Sequence, residues 1–295
     1  MINQMNNILC PYCKSADISL KKEIISNLNK KQYGLYACEG CLLEFFTPLE
    51  FEDVYETEKN ESYKEFHVGR KFLPEWTKQI VSCLRKIKFN FSDGLKILEI
   101  GSGDGINFVA LQKFFNVSAD DYFAVELDSK SIEVCKKRGI KNVIQAYFDR
   151  DISKKLNHKF DLILVTEVLE HQIAPCAFLE TAFGLLNESG LLIITVPNRR
   201  RAFIDYRSED GDVPPHHFLR FDLNFFQKNF KDNIVFIKEY AFSNKTLFDS
   251  SVALSNYLFR SKHLYFLMLP TAVVLRLIDC WHGEGILVFI KKPRS

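Results

Sequence analysis

The chain has almost no net charge. Its 39 Lys and Arg against 37 Asp and Glu leave a formal +2 over 295 residues. That balance gives no general electrostatic case for nucleic acid or an anionic membrane as partner. A long apolar run is also missing. The longest, Leu264 to Leu275, contains Pro270, and about a dozen residues cannot span a bilayer, which takes ~20. The N-terminus, M-I-N-Q-M-N-N, has neither a basic flank nor an apolar core of signal-peptide length. Internal repeats and low-complexity tracts are absent as well. These absences predict a soluble, cytoplasmic protein with no transmembrane segment, and they leave the oligomeric state unknown. An apolar share of 47% is ordinary for a globular chain, and the length accommodates one large domain plus a small module.

Cysteine is the residue in unusual supply, with eight. Four form two close pairs, Cys10-Pro-Tyr-Cys13 and Cys38-Glu-Gly-Cys41. Two such knuckles offer four thiolates, which satisfy tetrahedral Zn2+ without a water ligand. Residues 1–46 therefore read as a zinc ribbon with a closed, structural site. The rival reading is a redox pair or chance, and the doubled spacing argues against it. Cys83, Cys135, Cys176 and Cys280 sit in apolar or helical contexts and read as ordinary buried residues. Residues 47–89 are an acidic and aromatic linker with a lead-in helix, either a lid over a ligand or a packed connection.

The centre of the chain is L-K-I-L-E-I-G-S-G-D-G, Leu95 to Gly105. An apolar strand runs into a glycine loop, and a helical pattern starts at Ile106, the layout of a nucleotide-binding crossover. The spacing is G-x-G-x-G rather than G-x-G-x-x-G, and no Lys-Ser/Thr follows to hold a triphosphate. Glu99, just before the loop, would repel a pyrophosphate but suits a ligand bearing an ammonium group.

Strands and helices then alternate. Strands are expected at Lys96–Ile100, Asp121–Leu127, Asn142–Ala146, Phe160–Thr166, Leu191–Val196, Ile234–Glu239 and Gly285–Lys291. Helices are expected at Ile106–Phe115, Ser129–Arg138 (with Ser129 as N-cap and Gly139 as terminator), Pro175–Leu186 and Phe221–Phe230. A mostly helical insertion covers about 244–281. The alternation predicts an α/β fold: a doubly wound, mostly parallel seven-stranded sheet of Rossmann-like type over residues 90–295. Ligands bind such sheets beyond the carboxyl ends of the strands.

The strand ends carry the polar chemistry. Glu126 closes the second strand, where a carboxylate accepts both hydroxyls of a ribose. Asp149 and Asp151 follow the third strand, as adenine acceptors or surface acids. T-E-V-L-E-H, Thr166 to His171, ends the fourth, with Glu170 and His171 an acid–base pair. A loop after the fifth strand holds Asp212 and P-P-H-H, Pro214 to His217. Its imidazoles suit acid–base work or substrate hydrogen bonding, the alternative being a cap on the following helix. Arg199, Arg200 and Arg201 either grip an anionic group of the substrate or form a solvated cluster.

L-E-I-G-S-G-D-G, A-V-E-L-D (Ala124 to Asp128), F-D-L-I-L-V-T-E-V-L-E-H (Phe160 to His171) and G-L-L-I-I-T-V-P-N (Gly190 to Asn198) stand in order. Together they resemble the class I S-adenosylmethionine-dependent methyltransferases. The resemblance implies S-adenosyl-L-methionine as cofactor. It implies that Glu99, Gly101, Ser102, Gly103 and Gly105 face its methionine part and that Glu126 and Leu127 hold the ribose. It also implies that Thr166 and Glu167 line the floor. Where such proteins often read Gly-Asp, this chain has Ala146-Tyr147, then Phe148-Asp149. Tyr147 or Phe148 is expected to stack on adenine, and Asp149 to accept its hydrogen bond. The ribbon and the histidine stretches are similar to bacterial small-molecule methyltransferases, including zinc-module sugar C-methyltransferases and ubiquinone-type O-methyltransferases. The resemblance implies a small-molecule acceptor. A base, where the acceptor needs one, is expected from the His216-His217 loop, which lies after the fifth strand where substrate should enter, with His171 shaping the pocket. One rival is an RNA base methyltransferase whose ribbon lysines, Lys14, Lys21, Lys22, Lys30 and Lys31, bind RNA. The acidic stretch Glu50 to Glu65 argues against it. Another is a non-catalytic protein that retains the cofactor fold.

Overall fold

The computed structural model describes residues 8–50, 70, 72–201, 212–241, 251, 255 and 262–293. The proposed lid segment (51–69), Arg207, Asp210 and Gly211, and the first part of the expected insertion lie mostly or wholly outside the described residues.

The N-terminal strands Ile18–Ile25 (β1), Gln32–Cys38 (β2) and Glu44–Thr47 (β3) form an antiparallel meander. One cysteine pair precedes β1, and the other spans the end of β2 and the turn into β3. The fourth strand of this sheet comes from far along the chain. Leu219–Arg220 (β9) pairs antiparallel with β3, placing Phe45 opposite Leu219 and Glu44 opposite Arg220. Tyr33, Leu43, Phe45 and Phe46 share one buried cluster with Phe221, Phe225 and Phe226. Tyr12 meets Phe225 edge-on at 5.0 Å between ring centroids. A sequence boundary at residue 46 thus falls inside a continuous core. Each of these aromatics contributes on the order of 2 kcal/mol by leaving water.

Glu75–Lys86 (α1) leads into the main sheet. The elements that follow are Ile97–Ile100 (β4), Ile106–Phe115 (α2), Tyr122–Glu126 (β5), Ser129–Lys137 (α3), Asn142–Gln145 (β6), Arg150–Leu156 (α4), Phe160–Thr166 (β7), Pro175–Leu185 (α5) and Leu186–Pro197 (β8). After β9 come Leu223–Phe230 (α6), Ile234–Tyr240 (β10), Leu269–His282 (α7) and Gly285–Lys291 (β11). The seven-stranded order is β10-β11-β8-β7-β4-β5-β6. β8, β7, β4, β5 and β6 run parallel, while β11 runs antiparallel to both β8 and β10. The near-continuous apolar run of β7 fits a strand covered on both faces. The chain order reverses at β4, which lies between β5 and β7, so the glycine loop emerges at the switch point of the sheet.

Two local expectations are corrected. α3 is capped by Asp128, not Ser129: the Asp128 backbone is extended and its carboxylate accepts from Ser131 N at 2.8 Å. α4 was not expected from the sequence, and it starts because Asp149 caps it, accepting from Asp151 N and Ile152 N at 2.9 and 2.8 Å. Of the insertion, α7 is described. It carries the exposed apolar residues Val273, Val274 and Leu277. Among the described residues no helix is long and apolar enough to cross a membrane.

Candidate functional site

The loop after β4 takes three left-handed turns, with φ of +73° at Gly101, +52° at Gly103 and +72° at Gly105. Only glycine adopts these angles without strain. At Gly101 a Cβ would stand 2.4 Å from Val168 Cγ2, so the end of β7 packs directly on the loop. At Gly103 a Cβ would meet nothing within 4 Å. That open side is where a flat ligand can reach the backbone.

Glu126 stands beside that opening. Its Oε2 accepts from Gly103 N at 2.7 Å, and Oε1 accepts from Leu127 N at 2.7 Å and Asp128 N at 2.9 Å. Burial pushes its pKa up, against these hydrogen bonds. Glu126 therefore joins the ends of β4 and β5. Ser102 is buried, with its hydroxyl 3.6 Å from Cys135 Sγ, and Gly105 starts α2.

Glu99 does not face the opening as expected. It is fully buried and accepts from Asn107 Nδ2 at 2.6 Å and from the Tyr122 hydroxyl. Asn107 also donates to Thr166 Oγ1 at 3.1 Å and accepts from Thr77 Oγ1 at 2.5 Å. Thr166 likewise belongs to the network. Asn107, Tyr122 and Thr77 had no sequence signal, because their partners lie on other elements.

Burial pushes Glu99 up to about 8, against its hydrogen bonds from Tyr122 and Asn107. A carboxyl raised in the fold stabilises fully below its ordinary value of 4.5. Its contribution falls as pH rises from there to about 8, at a slope of about 1.4 kcal/mol per pH unit. Denaturant midpoints across that window should decline in the wild type and decline less in Glu99→Gln. Equal slopes in the two proteins would contradict this.

At the end of β6, Tyr147 is the exposed member of the aromatic pair and Phe148 the buried one. Tyr147 is 37% exposed, and its hydroxyl donates to Gln172 Oε1 at 2.6 Å. Phe148 turns into the core, edge-on to Phe178 at 5.4 Å. Asp149 has one carboxylate oxygen engaged as the α4 cap. Stacking by Phe148, one of the two alternatives expected there, therefore differs from the structure, while Asp149 keeps one carboxylate oxygen outside the cap.

Beyond β7, Glu167 has φ +56°, and its N–H donates to Thr195 O at 2.9 Å. Burial raises its pKa to about 7, with Arg201 pulling the other way. One short 3-10 turn, Leu169–His171, then presents Glu170 and His171. His217 comes from the later loop, its ring 4.7 Å from that of His171. The Nε2 atoms of His171 and His217 lie 3.9 and 4.0 Å from Glu170 Oε1. His217 Nδ1 is 3.0 Å from Asp212 Oδ1, and Asp212 also pairs with Arg201. Burial alone would raise Asp212, but Arg201 and His217 outweigh it and hold the carboxyl below its usual range. Burial drives Glu170 well up.

His216 does not join the cluster with its ring. It is buried, and its carbonyl lies 2.6 Å from His171 Nδ1. The arginines differ from expectation too. Arg199 pairs with Asp222 and bonds Leu42 O, while Arg201 pairs with Asp212, so neither is open to a substrate anion. Arg199 instead ties the strand end after β8 to the ribbon.

In the ribbon, the Sγ atoms of Cys10, Cys13, Cys38 and Cys41 all lie within 4.8 Å of one another. Cys10–Cys41 and Cys13–Cys38 are each 3.5 Å apart. Bonds of about 2.3 Å to a tetrahedral Zn2+ require sulfur–sulfur spacings of ~3.7 Å, so the donor set fits that ion.

A glycine loop at the switch point, an acid at the next strand end and a mixed seven-stranded sheet agree with the family comparison. The methyltransferase-domain family matches residues 75–232, more than half of the chain. The chain belongs to this family. Among methyltransferases of known name, it is 24% identical over 134 residues to a ubiquinone biosynthesis O-methyltransferase of Haemophilus ducreyi, covering 40% of this chain and 55% of that one. It is 26% identical over 91 residues to a ribosomal protein L11 methyltransferase of Dictyoglomus turgidum, covering 30% and 29%. The chain spans less than two thirds of the length of these curated relatives. Among solved structures, the plantazolicin methyltransferase BamL, in complex with a triazolic desmethylPZN analog and SAH, superposes with a TM-score of 0.54. Its identity is 18%, over 81% of this chain and 92% of that one. A chain from the complex of the Haloferax volcanii Trm112 methyltransferase activator with a methyltransferase gives 0.53 at 12% identity, covering 80% and 94%. These likenesses establish the class I methyltransferase fold.

Proposed function

We propose that the protein transfers a methyl group from S-adenosylmethionine to a hydroxyl oxygen of a small-molecule acceptor, with a structural Zn2+ in the ribbon. The observation that carries the acceptor side is the Glu170–His171–His217 cluster at the carboxyl end of β7, adjoining the glycine loop through Val168 and Gly101.

S-adenosylmethionine supplies an electrophilic methyl carbon on a sulfonium. The chain has two tasks. The open backbone at Gly103, the carboxylate of Glu126 and the ring of Tyr147 hold and orient the donor. The cluster then takes up the acceptor and promotes loss of its hydroxyl proton, so that an oxygen lone pair forms the new bond to carbon while the carbon–sulfur pair returns to sulfur. Ion pairing of Arg199 and Arg201 within the protein favours a small acceptor over a polyanionic one.

His217→Ala should lower turnover about 100-fold and leave S-adenosylhomocysteine affinity unchanged, because His217 touches none of the cofactor cradle. The assay follows S-adenosylhomocysteine release with a panel of hydroxylated small molecules. Wild-type turnover in the variant would overturn the assignment.

A further inference from the structure

The exposed apolar side chains are unevenly placed. Phe266, Leu267, Leu269, Val273, Val274 and Leu277 fall within one short stretch, and Phe266, Val274 and Leu277 are 54%, 55% and 66% exposed. They belong to the 3-10 segment Lys262–Met268 and to α7. Leu269, Val273 and Leu277 recur at i, i+4 and i+8, so they share one face of the helix. Val274 widens that face, while Ala272 turns inward and is fully buried. Single exposed apolar residues are ordinary, but a run of them on one face marks a contact surface.

The charges along this stretch are of one sign. From Ser250 to Ile278 the sequence has Arg260, Lys262 and Arg276 and no Asp or Glu. The near-zero balance of the whole chain hides this local excess. Between Lys262 and Arg276 no charged residue interrupts the apolar run. An apolar stretch bracketed in sequence by cations fits a partner that is apolar inside and anionic outside. A second copy of the chain fits it less well. A two-fold contact would bring the same cations together, with no carboxylate in the stretch to answer them.

The fold fixes where this face is anchored. The chain leaves the sheet at Tyr240, the end of β10, and returns at Gly285, the start of β11. These two residues are register partners, and Gly285 also pairs with Pro197 at the carboxyl end of β8. Just after α7, Gly283 O accepts from Asn198 Nδ2 at 3.3 Å. The helix is therefore tied to the end of the sheet that carries the glycine loop and the histidine cluster. Its 14 residues span about 21 Å at ~1.5 Å each, against a hydrocarbon layer of ~30 Å. Such a helix can lie on a bilayer but not cross it.

We propose that α7 and the 3-10 segment before it bind an anionic phospholipid surface. The helix lies in the plane of the surface with Phe266, Val273, Val274 and Leu277 at the acyl boundary. This binding does not depend on the methyl-transfer reading.

The test is co-sedimentation of the full chain with vesicles of equal parts phosphatidylglycerol and phosphatidylcholine at low salt. The wild-type chain should pellet with them. A Val274→Asp/Leu277→Asp double variant should partition at least about tenfold less, because exposed apolar contacts give way to charges of the lipid's own sign. Val274→Ser/Leu277→Ser, which adds no charge, should lose about threefold or more. An unchanged melting temperature reports an intact fold in both. Salt at about 1 M, where the Debye length is ~3 Å, should weaken wild-type binding severalfold. No pelleting with the mixed vesicles, equal pelleting of the wild type and the Asp variant, or equal binding to phosphatidylcholine alone overturns the proposal. So does a lipid-free dimer that the Asp variant abolishes, since a second copy would then cover the face.

Discussion

Stripping the ribbon of the Zn2+ proposed for it, or replacing Cys41 with Ser, should lower the melting temperature by more than 10 °C and abolish the proposed methyl transfer. Cys41 is buried at the centre of the thiolate cluster. Structural Zn2+ sites of this kind contribute on the order of 10 kcal/mol to folding. Even half of that corresponds to ~10–20 °C in a domain of this size. The effect on activity has its own route. The ribbon strand β3 pairs with β9, two residues after His217. Phe46 N donates to Phe218 O at 2.8 Å, and Phe218 N donates to Glu170 O at 2.9 Å. Ser26 Oγ donates to Pro214 O at 2.7 Å, on the other side of the histidines. The ribbon therefore holds the backbone on both sides of the histidines, at Pro214 and Phe218, and Phe218 in turn bonds Glu170. Zinc content and thermal unfolding, followed in parallel, check the prediction. A metal-free chain that melts within ~2 °C of the loaded one, less than ~1 kcal/mol, would contradict it.

Glu126→Ala should weaken S-adenosylmethionine and S-adenosylhomocysteine binding by about 100-fold while the protein stays folded. The carboxylate accepts three backbone N–H groups, from Gly103, Leu127 and Asp128. Hydrogen bonds to a charged group contribute about 1.5–3 kcal/mol each. Truncation leaves those donors to water and frees the glycine loop from β5. It also removes the acceptor proposed for the ribose hydroxyls, and the two losses act on one ligand. Glu126→Gln keeps one acceptor oxygen and should fall between, near 10-fold. Affinity within threefold of wild type in the alanine variant would show that Glu126 organises the loop without touching the donor.

The sheet was legible because its strands are buried on both faces, so the runs around Ile97, Leu162 and Ile193 read as apolar in any register. The glycine loop was legible because positive φ at Gly101, Gly103 and Gly105 leaves a compositional trace. The cysteine pairs were legible by spacing alone. What the sequence could not show was which polar side chain turns inward. Glu99 lies on the face of β4 that meets Tyr122 and Asn107, and only the assembled sheet brings those donors to it. Asp149 looked like an adenine acceptor because it follows β6, but its own backbone two and three residues on claims one of its oxygens. His216 and His217 were indistinguishable as neighbours in the chain. The β9 pairing that follows buries one ring and delivers the other to Glu170. Asp212 was part of a loop without a role, since a contact five residues apart across a turn follows no periodicity.

The central claim is that this fold holds a methyl donor over an acceptor-activating cluster. Calorimetric titration of S-adenosylmethionine into the wild-type chain tests it most directly. One equivalent bound with a micromolar dissociation constant, about −8 kcal/mol, is the expected result. No heat at millimolar ligand would contradict the account.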